Sequence, residues 1–184
     1  MSYFNIVSQS DESTVVAEYT PQSQRSEAYQ SEADLENEFI RLLCELGYER
    51  LAIHKEADLI ANLRTQLEKL NDYRFTDGEW QRFWNEVLAN SNSGILEKTR
   101  LIQEDYVQVL RRDSGESKNI QLIDKKCIHH NSLQVIHQYA ISAKEGAAHD
   151  NRYDVTVLVN GLPLVHIELK RRGVPIREAF NQID

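Results

Sequence analysis

Two runs of alternating apolar and polar residues, Tyr153 to Val159 and Leu164 to Lys170, flank the dipeptide Asn160-Gly161. No other feature of the chain narrows its fold as far. Alternation with a period of two is the pattern of a half-buried strand, and Asn-Gly supplies the positive-φ residues that a tight hairpin turn requires. The spacing therefore predicts an antiparallel ribbon turning at Asn160-Gly161. On its second strand Glu168 and Lys170 share one face, while Val165, Ile167 and Leu169 point the other way, into a core. Asp154 stands at the start of the first strand, and register decides whether it joins Glu168 and Lys170. An unbroken two-residue hairpin would pair Val159 with Leu162 and Asp154 with Ile167, on the wrong face. A three-residue loop, or a bulge near Gly161 or Pro163, shifts the pairing by one and places Asp154 with His166, Glu168 and Lys170. Pro163 has no N–H for a regular ladder bond, so a bulge is expected there.

That register would bring two carboxylates and one amine together. Asp154 and Glu168 offer hard oxygen ligands of the kind Mg2+ prefers, and side-by-side carboxylates repel unless a cation or proton lies between them. A neighbouring ammonium, Lys170, can orient or help deprotonate a water attacking a phosphodiester. The Glu-x-Lys triplet is weak by itself. Glu116-Ser117-Lys118 repeats it in a turn-like segment, and an exposed same-face ion pair explains any single copy.

Elsewhere the pattern changes twice. From Ser8 to Gln30 the residues are mostly Ser, Gln, Glu and Thr with Pro21, which predicts a polar arm over residues 1–30 with too little apolar surface to order itself. Ser31 and Asp34 form a capping signal ahead of Leu35, Phe39, Leu42, Leu43 and Leu46 at helical spacing, with Gly47 as the stop. Two further amphipathic stripes, Leu59 to Leu70 and Trp80 to Leu88, the latter with Asp77 as its N-cap, predict a helical region from Asp58 to Asn90. Tyr106 to Leu110, Asn119 to Ile123 and Leu133 to Tyr139 read as strands. Pro175 opens a closing helix with Ile176, Ala179, Phe180 and Ile183 on one face. The chain stops inside that pattern, as a piece of a longer protein would.

The residues from Asn151 through Lys170, followed by Ile176-Arg177-Glu178-Ala179-Phe180-Asn181-Gln182-Ile183, closely resemble the amino-terminal nuclease domain of type I restriction enzyme motor (R) subunits. The resemblance extends more loosely to Tyr29 to Glu36, Gly94 to Arg100 and Leu122 to Lys126. It implies the PD-(D/E)xK superfamily: an α/β, restriction-endonuclease-like core with a central mixed β-sheet flanked by helices, and a helical region preceding the catalytic strands, over residues 31–184. Carried onto this sequence, it makes Asp154 and Glu168 the metal ligands and Lys170 the catalytic lysine. Tyr153 stands where the superfamily has Pro. Glu36 corresponds to an acidic position that in some of these nucleases reaches the metal; its alternative is a solvated helix-face carboxylate. Gln182 matches half of a Gln-x-x-x-Tyr element whose Tyr would lie past Asp184. The implied cofactor is Mg2+. ATP belongs to the complete subunit and not to these residues, which contain no Gly-x-x-x-x-Gly-Lys-Ser/Thr loop. Implied partners are double-stranded DNA and the methyltransferase and specificity subunits of the complex, in the cytoplasm.

Charge sets a condition on that expectation. With 29 Asp plus Glu against 21 Lys plus Arg and a formal charge of -8, bulk attraction cannot hold DNA, and a local patch must do so. Lys170, Arg171, Arg172 and Arg177 form the one candidate, with Lys125 and Lys126 nearby and Gln182 added by the resemblance. No apolar run reaches the roughly 18 residues of a membrane span. Cys127, His129 and His130 lack the fourth ligand and second cluster of a structural zinc site, and Cys44 is distant. Trp80, Phe83 and Trp84 could stack on bases, but their helical spacing predicts core packing. Two other functions fit the same residues: a non-catalytic module that docks DNA or subunits, and a different PD-(D/E)xK nuclease acting in DNA repair.

Overall fold

The computed structural model describes residues 3–9, 15–20, 31–141 and 151–170, with side chains from 31 to 138 and from 154 to 170. The chain divides into two units, residues 1–30 and 31–184. In the first, β1 (Tyr3–Gln9) and β2 (Val15–Thr20) pair antiparallel, with an irregularity between Ile6 and Ser8. The stretch expected to lack structure of its own thus carries a ribbon, because backbone pairing asks less of side-chain polarity than core packing does.

In the second unit α1 (Glu32–Glu45) starts at Ser31, whose hydroxyl accepts from the Asp34 N–H at 3.1 Å while the Asp34 carboxylate reaches back to the Ser31 N–H at 3.4 Å. This reciprocal cap is the one the sequence signals. β3 (Glu49–Leu51) follows, then α2 (Glu56–Asn71) and α3 (Asp77–Phe83), which passes into one π-helical turn at Trp84–Leu88. The cap of α3 is Thr76, not Asp77: its hydroxyl accepts from the Glu79 N–H at 3.1 Å and Glu79 accepts from the Thr76 N–H at 3.0 Å. Thr-x-x-Glu satisfies two orphan donors at once, which Asp77 in the first turn could not do. A further helix, α4 (Ile95–Gln103), carries the helical region past Asn90. Its Ile95 and Leu96 are exposed, while Leu101 and Ile102 pack against the core around α2 and α3.

β4 (Val107–Arg111) and β5 (Ser117–Gln121) form a separate two-stranded sheet. Leu110, Ile120 and Leu122 from this segment bury against Leu63 and Leu67 of α2 and Phe75 and Phe83, with Trp80 and Trp84 packed around them. The tryptophans are core residues. Phe75 lies edge-on to Trp80, ring centres 5.4 Å apart.

The central sheet has four strands in the order β3-β6-β7-β8, with β6 (Leu133–Ile141), β7 (Asn151–Val159) and β8 (Leu162–Ile167). β3 runs parallel to β6, and the other pairs are antiparallel, so the sheet is mixed as expected. Val135 and Val155 pack on Ile40 of α1, joined by Ile167 and Leu169. Ile136 and Leu158, on the opposite face, meet Ile53 and Leu59 of α2. A helix on each face explains why neighbouring residues of β6 and β7 are both buried.

The turn of the β7–β8 ribbon is locked from outside. Asn160 and Gly161 have φ of 51° and 81°, the pair of left-handed conformations a two-residue hairpin takes. The Asn160 amide donates to the Leu122 carbonyl at 3.0 Å and to Asn131 Oδ1 at 2.8 Å, and its own oxygen accepts from the Ser132 N–H at 2.8 Å. A Cβ on Gly161 would lie 2.6 Å from the Leu63 Cα, so α2 could not approach the turn if another residue stood there.

Candidate active site

Register is what assembles the site. Val159 pairs with Leu162 and Leu158 with Pro163, but Val157 then pairs with Val165, which leaves Leu164 as the extra residue of a bulge. The two-residue turn and the bulge coexist, the latter beside Pro163 as expected. Beyond it Thr156 faces His166 and Val155 faces Ile167, so continuation of the register sets Asp154 across from Glu168. Thr156 Oγ1 and His166 Nδ1, 2.9 Å apart, tie the face together one pair inward.

β8 ends at Ile167, earlier than the sequence pattern suggests, and Glu168 to Lys170 continue outside the ladder. This early end has a use. The Leu169 N–H, free of a strand partner, donates to Asp154 Oδ2 at 2.8 Å. Lys170 Nζ donates to Glu168 Oε1 at 2.7 Å, with the two side chains 16% and 6% exposed. Ile167 and Leu169 face the α1 cluster as predicted, but Val165 does not enter a core: it is 48% exposed. It lies on the edge strand, next to the bulge.

Glu36 is not the solvated carboxylate its helix position allowed. It is 6% exposed, and Oε2 meets His137 Nε2 at 2.7 Å and the Gln138 amide at 3.1 Å. His137, scattered among the histidines in sequence, sits beside the site because β6 neighbours β7. Nothing in the sequence signals the third feature: Gln138 has φ of 53° and drops out of the pairing between His137↔Val155 and Tyr139↔Tyr153, directly across from Asp154.

The electrostatics separate the groups. Burial pushes the Asp154 carboxyl above the ordinary carboxylate range; the Leu169 N–H and Lys170 oppose this, while the charges of Glu168 and Glu36 reinforce it. Burial would lower the Lys170 ammonium, but its bond to Glu168 and the charges of Glu168, Glu32 and Asp154 outweigh it and raise it above its ordinary value. Burial alone lowers His166. Among the described residues no three His, Cys, Asp or Glu converge closely enough to hold a metal ion. Asp154, Glu168 and Glu36 lie within electrostatic reach of one another, since the charges of the other two both act on Asp154.

The predicted DNA-contacting residues Arg171, Arg172, Arg177 and Gln182, and the closing helix with them, lie outside the described residues. Among the described residues no helix is long and apolar enough to cross a membrane.

Residues 29–184 match the family model of the type I restriction enzyme R protein N terminus. The chain is 46% identical over 178 residues to the type I restriction enzyme EcoprrI endonuclease subunit of Escherichia coli, covering 96% of this chain and 56% of that relative. It is 42% identical over 161 residues to the SauMSSORF170P endonuclease subunit of Staphylococcus aureus strain MSSA476, and 39% identical over 160 residues to the SsaAORF53P endonuclease subunit of Staphylococcus saprophyticus. These two alignments cover 85% and 84% of this chain but 16% of each relative. The chain thus spans about half the length of one relative and about a sixth of the others. With its mixed sheet, its flanking helices and a family match over nearly all of the second unit, this chain belongs to the family of type I restriction enzyme R protein N-terminal regions.

Proposed function

We propose that this chain is the DNA-cleaving module of a type I restriction R subunit, hydrolysing phosphodiesters of double-stranded DNA with Mg2+. The observation that carries the reading is the bulge at Leu164, which shifts the register so that Val155 faces Ile167 and Asp154 falls level with Glu168, on the face of His166. The donor chemistry fits a small divalent cation. Asp154 and Glu168 are hard oxygen ligands, Glu36 adds a third negative charge within electrostatic reach, and Lys170 is the one amine bonded among them. Mg2+ keeps several waters when bound by one or two carboxylates, which suits a site with two. When bound, it supplies charge stabilisation at the phosphodiester and makes a nearby water more acidic.

The protein's own groups divide the remaining work. Asp154 is oriented by the Leu169 N–H and Glu168 by Lys170. Lys170, held protonated, orients the attacking water and balances charge on the phosphate; it is poorly suited to be the base. Glu36 would add its negative charge beside the two ligands Asp154 and Glu168. Arg171, Arg172, Arg177 and Gln182 follow directly on the catalytic lysine in sequence and hold the DNA backbone against the acidic surface. The complete subunit, in the cytoplasm with its methyltransferase and specificity partners, uses ATP to translocate DNA, and target recognition lies in the specificity subunit. Residues 1–30 are an arm on the nuclease domain of residues 31–184.

The competing reading, a docking module in which Glu168 and Lys170 merely pair, makes a different prediction for Lys170→Ala. In the complete complex this variant should assemble and consume ATP at the wild-type rate while leaving DNA uncut, as seen by gel assay of plasmid cleavage beside ATPase turnover. Unimpaired cutting would establish the module instead.

A further inference from the structure

Consecutive residues of a regular strand point to opposite faces of the sheet. His137 and Gln138 break this rule: both reach the same oxygen, Glu36 Oε2. They can do so because Gln138 adopts φ of 53°, a left-handed conformation that carries a free-energy penalty for a residue with a Cβ. The irregularity lies directly across from Asp154. A second unfavourable feature coincides with it: a carboxylate 6% exposed on the face of α1 that otherwise presents Phe39, Ile40 and Leu43 to the core. An apolar residue at position 36 and a regular strand at 138 would serve the fold better. Local strain and a buried charge that converge beside reacting groups are kept for what they position.

We infer that His137 and Gln138 are positioning residues of the cleavage site. They act through Glu36, clamping its carboxylate at the end of the sheet where Asp154, Glu168 and Lys170 gather, and so set how tightly that site takes a divalent cation. The inference rests on the cation site proposed above. It makes the clamp the outer support of that site: partners that fix an acidic group near a metal without touching it govern affinity about as strongly as weaker ligands do.

The test is Mn2+ binding to the full chain, followed by calorimetry and by loss of the free-ion electron paramagnetic resonance signal, with thermal melts beside it. Wild type should bind and Asp154→Asn should not. His137→Ala and Gln138→Gly should each weaken binding about tenfold. Gly is the residue best suited to the left-handed backbone at 138, so Gln138→Gly removes the amide without disturbing the fold and carries the test should His137→Ala melt early. His137→Gln, which keeps an N–H donor, should recover most of the affinity. In a Glu36→Gln background, neither clamp variant should add a further loss, since residues acting through one group are not additive. Wild-type affinity in both His137→Ala and Gln138→Gly, with Asp154→Asn still unable to bind, would overturn the clamp alone. Equal binding by wild type and Asp154→Asn, or no binding by wild type, would overturn the cation site and the clamp with it.

Discussion

Glu79 and Asp154 are both carboxylates withdrawn from water, one in the helical half of the molecule and one at the end of the central sheet, and they are surrounded in opposite ways. Glu79 is 3% exposed and accepts from the Tyr73 hydroxyl at 2.8 Å, the Thr76 N–H at 3.0 Å and the Asp113 N–H at 3.0 Å. Burial pushes it up, but these three donors outweigh burial and hold it below the ordinary carboxylate range. Asp154 accepts from the Leu169 N–H, and burial, reinforced by the charges of Glu168 and Glu36, pushes it up. A carboxylate ringed by donors is complete and serves the fold, tying the start of α3 to the turn after β4. A carboxylate short of donors and crowded by like charge carries an unmet demand for a cation, and such a residue marks chemistry more than stability.

The sharpest way to break this contrast is Asp154→Asn. Cleavage of duplex DNA by the complete R subunit should fall by about a thousandfold, the scale on which single electrostatic groups act in catalysis. The melting temperature of the chain, measured without metal, should hold or rise, because the substitution removes a repelled charge. Wild-type cleavage by this variant would erase the difference between the two sites. Glu79→Ala should do the reverse. It strands three donors and breaks a capping box, so urea unfolding should show a loss of about 3 kcal/mol; a loss within 0.5 kcal/mol, the ordinary scatter of about ±0.5 for surface changes, would mean that the donors find water instead.

The smallest effect is in pH dependence, where the signs must oppose. Asp154 binds its proton more tightly folded than unfolded, so the folded chain loses stability as pH rises above the ordinary value of 3.8 toward the raised one. The stability of Asp154→Asn relative to wild type should therefore grow across that window. Glu79 binds its proton less tightly folded, so its contribution is present above the ordinary value of 4.5 and is lost as pH falls through the lowered one. The deficit of Glu79→Ala should shrink as the solution is acidified. Metal-free unfolding curves at a series of pH values measure both; parallel slopes would show that the two carboxylates are alike.

Much of the site was legible because a strand's period is short and rigid. Once Asn160-Gly161 was read as a turn, Asp154 had two registers open to it, and Pro163 favoured the productive one. The helix α1 was equally plain from its cap and its apolar stripe. Legibility ended where a residue's role depends on what lies across from it. The cap of α3 was misplaced by one residue because Thr76 is completed by Glu79 three positions on. β3 is three residues long, too short to carry a period to detect. Val165 has the alternation of a buried residue, yet it stands half exposed on the edge strand.

By itself, the amino-acid sequence determined the ribbon, its turn and the break beside Pro163, since these follow from local sterics and periodicity; Asp154, Glu168 and Lys170 were candidates whose roles came from the family resemblance. Only the tertiary structure decided that Glu36 is buried, that His137 meets it, and that Gln138 turns left-handed opposite Asp154. The physical reason is distance along the chain. Glu36 and His137 are separated by 101 positions, and no local rule of backbone geometry spans such an interval; only the packing of α1 against β6 brings them together.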